Sequence, residues 1–402
     1  MGRFCWDEFC ISLPDLVYWE QTNFKEIEVL TVAPIRVLHC VAGLAHGGYE
    51  SLIMNLYRCI DRQLVQFDFL SSFPGVYEEE IRQLGGVIHS IPFITQKGPF
   101  SYTHGLNRVL TASPQYPIVH SHMDKFSGLV MRQAHRAGIP VRIAHSHNTQ
   151  NEGGLLFHLV KNYYGSMVLP HATHLMACSK AAADWMFGSA SDKAFLIHNG
   201  IDPERFSFSP ELRRAKRQEL GLSHSTLVFG HVGRFTAQKN HLHLLDTFQQ
   251  ICTLHKDSVL LLVGTGQLEE TVRQTTQRLG LSERVQFLGA REDVPQLLLA
   301  MDCFVFPSLH EGLPVTLVEA QATGLPILAS DAITDEVCIT PLVHRTPLTC
   351  SHQEWAKKAL ALAQEFTNRH SDKAALGAAG YDIHTTAQWL TQFYLTAAEH
   401  SA

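Results

Sequence analysis

The chain has 402 residues, of which 45% are hydrophobic and 17% charged, and its 32 Lys and Arg stand against 38 Asp and Glu for a formal charge of −6. That length carries about two to three domains with a sizeable core in each, which excludes disordered, collagen-like and disulfide-scaffold chains. The acidic balance argues against nucleic acid as a partner, and no run reaches the ~18–20 apolar residues of a membrane-spanning helix. Nine cysteines are scattered without a C-x-x-C pair, the pattern of reduced thiols in a cytoplasmic protein. Histidine is in surplus, at 24 residues.

In chain order, residues 1–34 form an acidic N-terminal extension without the basic start and cleavage site of a signal peptide. From Ile35 short apolar runs alternate with amphipathic stretches. Strands are expected at 35–41, 67–70, 87–91, 117–121, 141–144, 174–177 and 194–197, each followed by a segment of helical length. A glycine-rich loop, 43–48, follows the first strand. A second set begins near Leu227, with strands at 227–232, 259–263, 285–288, 303–306 and from 327. Its helices are expected at 242–253, 268–279, 294–300 and 314–322. Strands alternating with helices predict an α/β protein with two doubly wound parallel sheets. The predicted divisions are 35–205 and 206–375, with a hinge near 200–210, where Gly, Asp-Pro and Ser-Pro cluster, and a helical tail at 376–402. Ligands of open parallel sheets bind beyond the carboxyl ends of the strands, so the substrate site belongs in the cleft between the two sheets.

Three segments fall at such strand ends. Glu311-Gly312-Leu313-Pro314 leads into a helix carrying Glu319, with Pro314 expected at the first helical position. Free amides at that helix start suit an anion or sugar hydroxyls, and the two carboxylates reach different parts of one extended ligand. Taken alone, a cap and a solvent-facing carboxylate would explain the same pair. Gly233-Arg234 followed by Lys239-Asn240 offers a planar fork and a point charge, a plausible diphosphate clamp. Gly264-Thr265-Gly266 is a partial phosphate turn, better explained alone as a tight strand-to-helix connection. At Gly47 and Gly48, a phosphate or acceptor loop and close helix–strand packing are equally good readings.

Taken together, these segments resemble the retaining glycosyltransferases of family 4, also called group 1, and among them exopolysaccharide and capsule glycosyltransferases. The resemblance rests on E-x7-E at Glu311 and Glu319, G-R-x4-K-N at 233–240, V-G-x-G at 263–266, I-H-N-G-I-D at 197–202 and the glycine-rich first loop. It implies the GT-B arrangement of two Rossmann-like domains facing across a cleft, and no cofactor beyond a nucleotide-diphosphate sugar co-substrate, UDP-linked. It also implies that Arg234 and Lys239 neutralise the diphosphate, that Glu319 binds the ribose and that Glu311 holds the transferred sugar. Gly233, Gly264, Gly266, Gly312, Leu313 and Pro314 would line the donor. No D-x-D occurs in the chain, which fits transfer without a divalent metal.

His120-Ser-His122 and His145-Ser-His147 end two first-domain strands, and period two puts each pair on one side of its strand. The resemblance favours His122 as a catalytic or sugar-binding residue, with His120 behind it and His147 nearby. A metal site and a set of satisfied buried histidines are the alternatives. Residues 35–205 hold 14 basic against 12 acidic residues, and the helix at 128–138 presents Arg132, His135 and Arg136. That bias suits a glycan or polyprenyl-linked acceptor and peripheral contact with an anionic membrane, although an ordinary solvated helix is the better reading of the segment alone. The rival functions are a nucleotide-sugar epimerase of the same fold, a histidine-based metal hydrolase and a non-catalytic nucleotide-sugar sensor.

Overall fold

The computed structural model describes residues 33–400 except 46, 113, 150–154 and 367; the acidic extension, 1–32, lies outside it. The first sheet contains β1 (Ile35–Cys40), β2 (Val65–Ser71), β3 (Ile88–Ser90), β4 (Ile118–Ser121), β5 (Val141–Ser146), β6 (His174–Ala177) and β7 (Phe195–Leu196). The second contains β8 (Leu227–Val232), β9 (Ser258–Val263), β10 (Val285–Gly289), β11 (Cys303–Phe306), β12 (Ile327–Ser330) and β13 (Val343–Thr346). Their orders are β3-β2-β1-β4-β5-β6-β7 and β10-β9-β8-β11-β12-β13. Every strand pair is parallel. These are two Rossmann-like sheets in the GT-B arrangement. The strand order reverses between β1 and β4 in the first and between β8 and β11 in the second, and at such a point the outgoing loops diverge and leave a crevice.

Strands covered on both faces read as unbroken apolar runs, as in Cys303-Phe-Val-Phe306, which is buried throughout. Each sheet accordingly has an apolar cluster on either face. Helix starts are written locally. Ser209 caps the helix Pro210–Glu219 through the amide of Leu212, with proline in its first turn, and Ser351 and Glu354 form a reciprocal capping box.

Three features differ from the sequence reading. Strand β13 was not expected: its Val-His-Arg-Thr segment is only partly buried and shows little apolar pattern. The helix after β11 is Val315–Ala322, so Pro314 is its cap, with extended ψ of 98°, rather than its first helical residue. The helix Ser127–Arg136 is buried along most of its length, leaving only its basic end to solvent, so it offers no broad basic face.

The tail crosses back to the first domain. Ile383, Ala387, Leu390 and Tyr394 of the helix Ile383–Glu399 join the apolar cluster of Val37, Phe67, Phe69 and Ile118. The outward and return crossings bond to each other, Ile201 N–H to the Tyr381 carbonyl at 2.9 Å and Ile383 N–H to the Ile201 carbonyl at 3.0 Å. A Cβ on Gly200 would meet the Ile383 backbone at 3.2 Å, so glycine lets the two crossings lie side by side.

Candidate active site

The second-domain crevice is built from the loops after β8 and β11. Leu309 N–H donates to the Gln238 carbonyl at 2.9 Å, Gln238 Nε2 to the His310 carbonyl at 2.9 Å, and Asn240 Nδ2 to the Pro307 carbonyl at 3.2 Å. Asn240 adopts a left-handed conformation (φ 53°, ψ 46°), which asparagine tolerates better than most side chains. That turn starts the helix His241–Leu254 and aims Lys239 across the crevice. Its Nζ lies 2.8 Å from Glu311 Oε1 and 4.6 Å from the centre of the Phe306 ring. The side chains are 15% and 8% exposed, so the pair is largely withdrawn from water. Arg234 is exposed and has no ion-pair partner among the described residues. The cleft therefore holds one cation committed to a carboxylate and one open to a ligand.

The glycines divide by role. Gly264, at φ +132°, faces the Gly233 carbonyl, where a Cβ would collide, and a Cβ on Gly266 would sit 2.6 Å from Phe235 N and O. Their absence of side chains lets the turn after β9 pack on the loop after β8, with Phe235 N–H donating to the Thr265 carbonyl at 3.0 Å. Gly233 makes room for Lys239, whose Cε would be 3.2 Å from a Cβ there. Gly312 is exposed with open space around its Cα, Leu313 is partly buried and Pro314 is buried. Gly47 caps the helix Gly48–Cys59 in extended conformation, and Gly48 faces Asn199 at the chain crossing.

Glu319 projects from the second turn of Val315–Ala322. Burial lifts its carboxyl from 4.5 to about 7, against a smaller opposing effect of Arg205. An acid that holds its proton longer when folded contributes its full stability below pH 4.5 and loses it as pH rises through 7. Glu319→Gln is therefore expected to stabilise the fold by about 1–2 kcal/mol at pH 8 and to change little at pH 4, allowing for its partial exposure. Urea denaturation at the two pH values measures the difference.

The first domain gathers five histidines at the carboxyl ends of β1, β4 and β5, four of them buried and His147 partly exposed. His39 on β1 and His120 on β4 are register partners across the strand-order reversal. His39 Nδ1 lies 3.0 Å from His122 Nε2, and His122 Nδ1 lies 2.8 Å from His147 Nε2. A second line runs from Tyr394 Oη to His120 Nδ1 at 2.7 Å and from His120 Nε2 to His145 Nδ1 at 3.1 Å. Burial pushes His39 and His147 down to about 3 and the other three well below the usual imidazole range, so all five are neutral at pH 7. His120 does not stand behind His122 as a hydrogen-bond partner. Alternate residues of one strand stack their rings, here 4.3 Å apart, and the polar partner comes from the adjacent strand as His39.

The family model for "Glycosyltransferase Family 4" matches residues 46–205 and that for "Glycosyl transferases group 1" matches 213–365. A putative glycosyltransferase, EpsF of Bacillus subtilis (strain 168), is 36% identical over 368 residues, spanning 89% of this chain and 96% of its own. The chain is a family 4 glycosyltransferase. Another relative is the Escherichia coli UDP-Gal:alpha-D-GlcNAc-diphosphoundecaprenol alpha-1,3-galactosyltransferase, 33% identical over 55% of this chain and 59% of its own. Anabaena HepE, solved with UDP and glucose, shares the fold at a TM-score of 0.72 and 21% identity, over 90% of this chain and 99% of that one.

For this glycosyltransferase, sequence reasoning missed His39, Tyr394 and His231. His39 had a signal, a histidine between the apolar Leu38 and Cys40 of a buried strand. His231 is fully buried on β8 with Nδ1 2.9 Å from the Val305 carbonyl, and its Nε2 would be 3.0 Å from a Cβ on Gly233. Tyr394 had none, because it reaches the first domain from 274 residues beyond its partner.

Proposed function

We propose that this glycosyltransferase moves a hexose or N-acetylhexosamine from a UDP-sugar to a glycan or lipid-linked acceptor in exopolysaccharide or capsule synthesis, with retention and without a divalent metal. The observation that carries this reading is the Lys239–Glu311 pair at the strand-order reversal of the second sheet, 2.8 Å apart beside the exposed Arg234. A donor diphosphate entering there would meet two cations, and Glu311, relieved of Lys239, would accept hydrogen bonds from the sugar hydroxyls. Cations already fixed in a low-dielectric crevice stabilise the charge that builds on the leaving diphosphate, which is the task a metal performs elsewhere. Glu319 would take the ribose hydroxyls. His122 and His147 would supply neutral imidazoles from the opposite sheet. For retention, the acceptor hydroxyl attacks the face the diphosphate is leaving. A diphosphate oxygen takes its proton as the C–O bond to the sugar forms and the bond to phosphate breaks.

The UDP and glucose held by HepE support a UDP-sugar donor, and the diphosphoundecaprenol acceptor of the Escherichia coli relative supports a lipid-linked acceptor. No helix of the described residues is long and apolar enough to cross a membrane. Leu159, Val160, Tyr163 and Leu169 are exposed on the neighbouring helices Leu155–Gly165 and Val168–His171, which supports peripheral contact at the cytoplasmic face of a membrane.

The test is a melting-temperature panel of UDP- and GDP-sugars in EDTA, followed by incubation of the best donor with and without a polyprenyl-diphosphate glycan. A UDP-sugar should raise the melting temperature, and an α-linked product should form only with acceptor. Epimerised sugar nucleotide without acceptor would overturn the transfer reading, and a strict requirement for Mg²⁺ would overturn the metal-free one.

A further inference from the structure

The five clustered histidines of the first domain carry more hydrogen-bonding capacity than they use. Among the described residues, His39 Nε2, His145 Nε2 and His147 Nδ1 are buried without a partner. An unpaired polar atom in a protein interior costs about 1–3 kcal/mol, and the two on the neighbouring His145 and His147 ask for a further occupant. His122, His145 and His147 each offer one ring nitrogen, and the three nitrogens lie within 4.8 Å of one another. We propose that His122, His145 and His147 form a nitrogen-only binding site for a borderline divalent cation of the Zn²⁺ class, entered past the partly exposed His147.

The arrangement behind these rings is what such a site needs. A ligating imidazole is oriented by a hydrogen bond to its other ring nitrogen, which fixes tautomer and direction. His145 Nδ1 is held by His120 Nε2, itself held by the Tyr394 hydroxyl, and His122 Nε2 is held by His39 Nδ1. On binding, the His122–His147 hydrogen bond gives way to the metal. Zinc bonds of about 2.0–2.1 Å place tetrahedral ligand atoms roughly 3.4 Å apart, so nitrogens that lie within 4.8 Å of one another need shifts of about an ångström. Three neutral imidazoles with a fourth position open suit Zn²⁺, Co²⁺ or Ni²⁺. No carboxylate belongs to the set, so hard Mg²⁺ or Ca²⁺ finds no match. The site lies on the first sheet, apart from the donor cations of the second, and a bound ion would withdraw His122 and His147 from the sugar, so the metal-free chain is the form that carries out the transfer proposed above.

The experiment titrates Co²⁺ into the full-length, tag-free chain after chelator treatment. One equivalent should give the intense visible bands of four-coordinate cobalt, Zn²⁺ should bleach them stoichiometrically, and Mg²⁺ should not. His147→Gln, at the rim, and His145→Gln, in the interior, should each weaken Co²⁺ binding at least tenfold, with circular dichroism verifying the fold. His104→Gln, at an exposed position outside the cluster, should bind as the parent does. The proposal is overturned if no four-coordinate spectrum develops at tenfold excess Co²⁺. It is overturned equally if the spectrum and affinity persist in folded His147→Gln.

Discussion

Lys239→Ala is expected to lower sugar transfer at least tenfold and to destabilise the fold by about 3 kcal/mol. The two effects have different origins. Removing the ammonium leaves Glu311, 8% exposed, as an uncompensated buried charge, which costs about 3–5 kcal/mol before local water relieves some of it. In the proposed reaction the loss of turnover would come from the donor diphosphate, which no longer meets a fixed cation as its charge grows. The double variant Lys239→Ala/Glu311→Ala separates them. It should regain most of the stability, because no buried charge is left, and none of the activity. Glu311→Ala alone should also lose at least tenfold, since it removes the acceptor for the sugar hydroxyls. Transfer rates alongside denaturant midpoints for the three variants supply the check; near-normal rates in both single variants would remove the pair from the site.

Acidification should unfold the metal-free chain between pH 6.5 and 4, well above the range where carboxylates alone would act. His39 is buried and its folded pKa lies near 3, against 6.5 for an unfolded imidazole. Between those values the unfolded chain binds the proton and the folded chain does not, so stability is complete above pH 6.5 and falls as pH drops toward 3. At pH 5 one such group costs about 2 kcal/mol, from roughly 1.5 pH units at 1.36 kcal/mol each. His120, His122 and His145 are displaced in the same direction by burial and by neighbouring histidines, and His147 by burial. Each adds to the loss on the acid side, against the 5–15 kcal/mol that holds a domain together. Denaturant midpoints from pH 4 to 8, in chelator, should fall with a slope of several protons. His39→Leu should reduce that slope by about one proton. A flat profile down to pH 4.5 would contradict the neutral cluster.

Much of this architecture was legible in the chain order. Buried parallel strands are short apolar runs, and their alternation with helices predicts the sheet type without any knowledge of partners. Strand β13 escaped because its pattern is weak: His344 and Arg345 sit in a half-exposed ladder beside β12. The convergence of the second-domain loops was legible for a related reason. Gly233, Arg234, Lys239, Glu311 and Glu319 lie on loops and a helix start directly after strands, and strand ends are where this topology opens.

The histidines show where reading by position stops. Period two correctly put His120 and His122 on one side of β4, but a hydrogen-bond partner is chosen between strands. Strand order is a long-range property that set His39 beside His120, and the packing of the helix Ile383–Glu399 on the first sheet brought Tyr394 from the far end of the chain. By itself the sequence determined the two sheets, the glycosyltransferase motifs and the strand ends that bear them, because local periodicity and turn chemistry act over a few residues. The tertiary structure alone decided that Lys239 meets Glu311, that Gly264 and Gly266 serve backbone packing, and that five histidines converge, because those contacts depend on which strands become neighbours.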